Sequence, residues 1–428
     1  MLKKQIIKII YLLNLFIPKN NKSVLAFVDY EMIDGELVPY KSDNVYLLCE
    51  YIKKQRDDLD ITYISSNQFG GKTNKILNIN TKLYYFFKRL RAKVLLFKQP
   101  PHTSEFFTKK QYIISLGYFI PFKADYWDLK KWEIFYADIF KSDFDMKICS
   151  SYRENILEYF TYNLTQFTNT NLTMVTASKY ASKVIAKSHN LPIDNFKVLG
   201  SPKSDRIEPS NATVFDIFSI QDNNQTIVLY TPTFRDIFMK QHINNATELQ
   251  KNIFGYMNEE EALEEFLVEN NIILIVKLHK SFPYYRELEK LHIKADKSYF
   301  KNCYFLDFEL EAKYNLSIYQ LFEHSDAMIA DYSSISFDYL PYNKPIIYNI
   351  PDIEEYRDYR GFSYEPIEDM MAGEQVKTIY ELKNALLDIS KHKDNFKEKR
   401  NQLLAMVNEV PQGKALSNIY GYVKEIID

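Results

Sequence analysis

A short apolar run, Ala327–Ala330, leads directly into Asp331-Tyr332-Ser333-Ser334 and then into an apolar helical stretch, Ile335–Tyr342. A buried strand that hands over to hydroxyl-bearing residues at a helix start suits the binding of phosphate. Free backbone N–H groups, the positive end of the helix dipole and two Ser hydroxyls all favour an anion there. The same Ser residues also suit plain N-capping, so the pattern alone leaves both roles open. Other polar groups recur where apolar runs end. Pro232, Thr233 and Arg235 follow Thr226–Thr231, while Lys277 closes Ile272–Lys277 and His279 comes just after it. Arg presents a planar fork to phosphate oxygens, and imidazole can donate to a phosphate oxygen or protonate a departing phosphate. Each has a structural alternative: Arg235 can pair with Asp236, Lys277 with a carboxylate, and a His at a strand end can serve as an ordinary hydrogen-bonding residue.

These groups need a frame that carries strand ends to one place. At 428 residues with 46% apolar composition, the chain predicts globular folding in two domains of about 200 residues each. Short strand-like runs alternate with helical stretches through both halves, which predicts parallel α/β construction. Strands are expected at Ser23–Val28, Ile61–Ser65, Lys93–Phe97, Tyr112–Ser115 and Leu172–Thr176, then at Thr226–Thr231, Ile272–Lys277, Cys303–Leu306, Ala327–Ala330 and Pro345–Tyr348. Ser42-Asp43-Asn44 caps a helix running through Ile52, and Glu259–Asn270 reads as an amphipathic helix. In open α/β sheets ligands sit beyond the carboxyl ends of the strands, and each group named above stands at such an end.

Charge and cysteine content narrow the function classes. A net charge of −2 offers no global attraction to nucleic acid, so no nucleic-acid partner is expected. Cys49, Cys149 and Cys303 are odd in number and far apart, which favours a reducing cytoplasm over a disulfide framework or a metal cluster. No run of about 20 apolar residues is present. Met1–Pro18 comes nearest: a basic, apolar helix ended by Pro18, suited to lying on a membrane surface or to packing on its own domain. Gly70-Gly71-Lys72-Thr73 lacks the first Gly of a phosphate-binding loop, and G-x-G-x-x-G, H-E-x-x-H and paired C-x-x-C patterns are absent.

Taken in order, the motifs resemble the CDP-glycerol glycerophosphotransferase family, the polymerases of teichoic acids and related capsules. The resemblance rests on Asp331–Asp338, Lys344-Pro345-Ile346-Ile347 and the segment Glu354–Phe362. It extends to Gly200-Ser201-Pro202-Lys203-Ser204-Asp205, Tyr230–Asp236 and Lys277-Leu278-His279, and covers the chain from about Val175 onward. It implies a GT-B-like fold, two Rossmann-like domains facing across a cleft. The expected division is a membrane-surface or packing helix over 1–21, an acceptor-side domain over 22–205, and a CDP-donor domain with closing helices over 206–428.

The resemblance also implies a reaction. A hydroxyl on a polyol-phosphate or saccharide acceptor, lipid-linked or free, attacks the β-phosphorus of a CDP-linked polyol, and CMP leaves. Glycerol phosphate is the first choice of transferred group and ribitol phosphate the second. No tightly bound cofactor is expected, and the sequence leaves divalent-metal dependence open. Ser333, Ser334, Arg235, Lys277, Asp331, Pro232, Thr233 and Lys123 are expected to bind substrate, and His279 to act on the developing phosphate charge or leaving group. The family's Trp-His-Gly-Thr-Pro-x-x-Lys-like segment finds its counterpart in Gly117–Lys123, with Tyr118 at the position of the catalytic His. An unactivated phenol is a poor base at neutral pH, so Tyr118 positions the acceptor, another acid such as Asp125 takes the proton, or the acceptor site differs. His102 is a further candidate. The expected location is the inner face of the cell membrane. Two rival readings remain: a GT-B glycosyltransferase using a CMP- or CDP-linked sugar, and a donor-binding protein impaired in catalysis.

Overall fold

The computed structural model describes residues 14–33, 36–39, 43–65, 79–98, 108–117, 120–122, 171–189, 191–205, 212–233, 261–278, 301–314, 316–359 and 361–428. The chain divides into two compact units, the first formed by Met1–Ile120, Ile139–Arg206 and Val407–Asp428, the second by Pro121–Asp138 and Ile207–Met406.

The first unit is built on a six-stranded parallel sheet of β1 (Asn20–Val28), β4 (Asp60–Ser65), β5 (Ala92–Phe97), β6 (Tyr112–Ser115), β7 (Asn171–Thr176) and β8 (Phe196–Val198), in the order β4-β1-β5-β6-β7-β8. A separate antiparallel pair, β2 (Tyr30–Ile33) and β3 (Glu36–Pro39), follows β1. The strands are apolar on both faces because both faces are covered. Val24, Ala26 and Val28 join Val45, Leu48, Cys49 and Ile52 of the helix Asn44–Gln55 in one core layer. Leu25 and Phe27 point the other way, into a layer with Ile113 and Ile185.

The second unit repeats the plan with β9 (Thr226–Tyr230), β10 (Ile272–Val276), β11 (Cys303–Phe305), β12 (Ala327–Ala330), β13 (Ile346–Asn349) and β14 (Glu374–Val376), in the order β11-β10-β9-β12-β13-β14. All its pairings are parallel. Leu263 and Leu267 of the helix Glu261–Glu269, with Leu382, Leu386 and Ile389 of the helix Ile379–Ser390, pack on Val228, Leu274 and Ile329 of the sheet.

The α/β class is the expected one, and each anticipated strand appears within one residue of its predicted bounds, except β1, which begins three residues early at Asn20. The hairpin β2–β3 and the three-residue strands β8 and β14 were not anticipated; three residues are too few to show a period. The sequence reading places Val407–Asp428 with the second domain, whereas the structure returns it to the first unit. Ile419, Val423 and Ile427 of the helix Ala415–Ile427 share the core layer of Val45, Leu48 and Ile52. Asp205 caps that helix from a distance, accepting from Ala415 N at 2.9 Å and Leu416 N at 2.7 Å. Gly200 explains the closeness of the joint: its φ is +101°, and a Cβ there would meet the Ala415 Cβ at 2.5 Å. Of the expected N-terminal helix, residues 1–13 lie outside the described part. Its end is tied to the first unit, since Asn14 donates to Gln111 Oε1 at 2.9 Å and Lys110 donates to the Leu15 carbonyl at 2.9 Å.

Candidate active site

In the second sheet β9 lies at the centre: β10 and β11 extend to one side of it, β12, β13 and β14 to the other. The chain therefore reverses its direction of travel between β9 and β12. Connections leave neighbouring strands toward opposite faces at such a switch point, which opens a crevice beyond their carboxyl ends. Thr231-Pro232-Thr233 emerges on one side of this switch and Asp331-Tyr332-Ser333-Ser334 on the other.

The two segments are held together. Asp331, fully buried, accepts from Thr233 N at 2.7 Å through one carboxylate oxygen and from Thr233 Oγ1 at 2.6 Å through the other. Thr231 N donates to the Ile329 carbonyl at 3.1 Å, prolonging the β9–β12 ladder to the strand ends. The Thr231 hydroxyl is buried and has no hydrogen-bond partner. Asp331 thus ties the two strand ends together.

Ser333 and Ser334 follow, both half-buried. Their carbonyls receive the first helical bonds, Ser336 N to Ser333 at 3.3 Å and Phe337 N to Ser334 at 3.1 Å. The helix Ile335–Tyr339 continues as a 3₁₀ turn, Leu340–Tyr342. Ser334 stands at the N-cap position in helical conformation, φ −64° and ψ −9°, and its side chain makes no cap hydrogen bond. The capping alternative is therefore not used by Ser334, and its hydroxyl remains at the helix start among backbone donors.

Tyr332 anchors the turn from behind. Its hydroxyl donates to Asp352 at 2.9 Å, and its ring stacks on Tyr356 at 4.3 Å and lies 5.5 Å from Phe362. That contact joins two of the motifs physically: the helix Ile353–Tyr359 and Phe362 form the support for the Asp331–Ser334 turn. Arg357, in the same support, bonds Glu354, Glu365 and Glu368 at 2.5, 3.1 and 2.6 Å. Lys344 donates to the carbonyls of Phe322, Glu323 and Ser325 at 3.1, 2.6 and 2.6 Å, fixing the turn that feeds β12.

Lys277, at the end of β10 and next to β9 on its other flank, pairs with Glu311 at 2.5 Å, and the two side chains are 10% and 4% exposed. Of its two anticipated roles, ion pairing is the one seen. Pro232 and Thr233 lie at the switch as expected. Arg235, His279, Tyr118, Asp125, Lys123 and His102 fall outside the described residues. Gly117, which precedes Tyr118, is described, and its carbonyl accepts from Asn44 Nδ2 at 3.0 Å. Among the described residues no group of three or more His, Cys, Asp or Glu side chains could hold a metal ion, and no helix is long and apolar enough to cross a membrane.

Sequence reasoning passed over one pair of residues at the strand ends of the first sheet. There β4 lies on one side of β1 and β5 on the other, so a second switch falls between β1 and β5. Asp29 follows β1 and Lys98 follows β5, and they pair at 2.9 Å. The end-of-strand position was the available signal, but neither residue sits in a distinctive motif.

Comparison with known proteins agrees with the motifs. The family model described as CDP-Glycerol:Poly(glycerophosphate) glycerophosphotransferase matches residues 10–425. The chain is 26% identical to the teichoic acid poly(glycerol phosphate) polymerase of Bacillus spizizenii over 228 residues, 52% of each protein. It is 31% identical to the teichoic acid ribitol-phosphate primase of the same organism over 146 residues, 34% of this chain and 31% of that one. The matches span about half the length, or less, of these relatives. A solved structure of the wall teichoic acid polymerase TagF superposes with a TM-score of 0.65 at 18% identity, covering 96% of this chain and 90% of that one, which shows a common GT-B-like fold.

Proposed function

The chain belongs to the CDP-glycerol:poly(glycerophosphate) glycerophosphotransferase family, and from that premise we propose that it transfers a polyol phosphate from a CDP-linked donor to the hydroxyl end of a growing teichoic-acid-like or capsular polymer, releasing CMP. Glycerol phosphate is the first choice of transferred group and ribitol phosphate the second; curated relatives of both kinds match. The observation that carries this reading is the switch point of the second sheet, where Asp331 and Thr233 brace a crevice and the Ser334 hydroxyl stays unspent on capping at a helix start.

In this reading the donor diphosphate lies against Ser333, Ser334 and the backbone donors behind them, with Arg235 adding a fork for the same oxygens. The acceptor oxygen forms a bond to the β-phosphorus, the bond from that phosphorus to the CMP oxygen breaks, and His279 donates toward the departing phosphate. Tyr118 shapes the acceptor site, Asp125 is an alternative proton acceptor and Lys123 a phosphate contact. The acceptor is lipid-linked, and the protein works at the inner membrane face without spanning it, using the basic apolar segment Met1–Pro18 to approach the surface.

The test is incubation of the pure full chain with CDP-glycerol, CDP-ribitol and CMP- or CDP-linked sugars, with product nucleotide measured. CMP release from a CDP-polyol, dependent on an acceptor, is the expected result. CDP released from a CDP-sugar would instead identify a glycosyltransferase.

A further inference from the structure

The segment Glu354–Phe362 carries a motif but no residue assigned to substrate, and the second unit gives it a task. The chain leaves β12 through Asp331 and Tyr332, and these consecutive side chains are tied to opposite neighbours of that strand. Asp331 is bonded to Thr233, beyond the end of β9. Tyr332 donates its hydroxyl at 2.9 Å to Asp352, beyond the end of β13. The Ser333 carbonyl is held next, accepting from Ser336 N at 3.3 Å and Ser336 Oγ at 3.0 Å.

The Tyr332 side of this mount is the larger. Tyr332, Tyr356 and Phe362 are all buried and pack as three mutually touching rings, with centroids 4.3, 5.5 and 5.6 Å apart. Arg357 lies over the Phe362 ring at 5.7 Å and points a different guanidinium nitrogen at each of Glu354, Glu365 and Glu368. Those bonds close the chain from Glu354 to Glu368 around the rings, so the platform under Tyr332 shifts only if charge-assisted contacts break. A phenol buried this deeply needs a partner for its hydroxyl, and bonding to Asp352 fixes the direction of the ring.

A turn that grips phosphate does so best when its donors already stand in place, because ordering them on binding lowers affinity. We propose that Asp352 and Tyr332 are positioning residues for the donor diphosphate: their bond sets where Ser333 and Ser334 stand, and they act through the turn. This rests on the reading that puts the diphosphate at Ser333 and Ser334. It makes Glu354–Phe362, with Arg357 at its centre, the mount of the binding turn. A bond with this role matters only while the two Ser hydroxyls are there to be placed. A general prop of the fold would matter equally with or without them.

Full-length protein titrated with CDP-glycerol by calorimetry provides the test. Tyr332→Phe keeps the ring and removes the bond, and should raise Kd about tenfold, the effect of losing one such hydrogen bond. Asp352→Ala should do the same and serves where Tyr332→Phe does not fold. Asp352→Asn, whose amide oxygen still accepts from the phenol, should stay within about threefold of wild type. Coupling separates positioning from plain support: with Ser333→Ala and Ser334→Ala already in place, adding Tyr332→Phe should raise Kd by no more than about threefold further. A further rise of about tenfold in that background overturns the assignment and leaves the bond a general prop. Kd within about twofold of wild type in the folded Tyr332→Phe or Asp352→Ala variant overturns it as well. Wild-type affinity in the Ser333→Ala, Ser334→Ala variant overturns the donor reading itself, and this inference with it.

Discussion

Thr233 and Asp331, 98 residues apart in sequence, are joined by two hydrogen bonds of 2.6 and 2.7 Å that close the carboxyl ends of β9 and β12 onto each other. A fully buried carboxylate is tolerable only when its oxygens are met by donors, and here one backbone amide and one hydroxyl meet both. Thr233→Val removes the hydroxyl and keeps the amide, so it should cost about 1–3 kcal/mol of stability in urea denaturation. Asp331→Ala leaves a hole and an unmet buried amide and should cost more. Unchanged denaturation midpoints for both variants would show that the clasp contributes little.

The Ser pair makes a prediction about binding. Ser333→Ala combined with Ser334→Ala should weaken CDP-glycerol binding by about 1–3 kcal/mol, the range for hydrogen bonds to a charged group. Because the Ser334 side chain makes no cap hydrogen bond, the melting temperature should hardly move. Calorimetry giving wild-type affinity in the folded double variant would remove the diphosphate from this turn.

Phe122 lies between β6 and β7 of the first sheet in sequence but belongs to the second unit. It is 1% exposed, stacks on Phe337 at 4.6 Å, and its carbonyl accepts from Ser363 N at 3.0 Å. Phe122→Ala should therefore destabilise the second unit by about 3–5 kcal/mol, the usual cost of emptying an aromatic core position. Hydrogen exchange resolved along the chain should show the loss at Phe337 and Tyr348 before it shows at Val24 or Val94. Loss confined to the first sheet would contradict the placement.

The Arg400–Asp394 pair sets a pH dependence. Arg400 is 1% exposed and also donates to the Asn343 carbonyl at 3.2 Å. Burial works to raise the Asp394 pKa, but the hydrogen bonds and charge of Arg400 outweigh it and hold the pKa below the ordinary carboxylate value. A folded pKa below the unfolded one means stability that is fully present above the unfolded value and lost as pH falls through the folded one. Asp394→Asn should cost about 3–5 kcal/mol at pH 7, since it leaves a buried guanidinium unpaired. The difference between variant and wild type should shrink as denaturation is measured at successively lower pH below about 4. A constant difference down to the acid transition would rule out this pair as its source.

Local chemistry was enough to read much of this protein from its sequence. Runs such as Ala327–Ala330 and Ile272–Val276 are apolar on both faces, a condition met by strands covered on both sides, and their ends announced Asp331, Ser333, Ser334 and Lys277. The ordered motifs likewise carried the family. What the sequence could not supply was partnership across distance. Asp331 reads as a substrate-binding residue from its motif, and only the structure shows Thr233 bonded to both its oxygens; Asp205 reads as the end of the motif Gly200–Asp205, and only the structure shows it capping Ala415. The placement of Phe122 and the return of Ala415–Ile427 to the first unit depend on which apolar faces remain to be covered once both sheets exist. Asp43 reads as a plain cap, and the burial and the charges of Asp29, Lys98 and Lys203 that act on its carboxyl are seen only in the structure. Those are sums over neighbours that strand order brings together, and strand order is set by the packing of whole layers, which no local run of residues encodes.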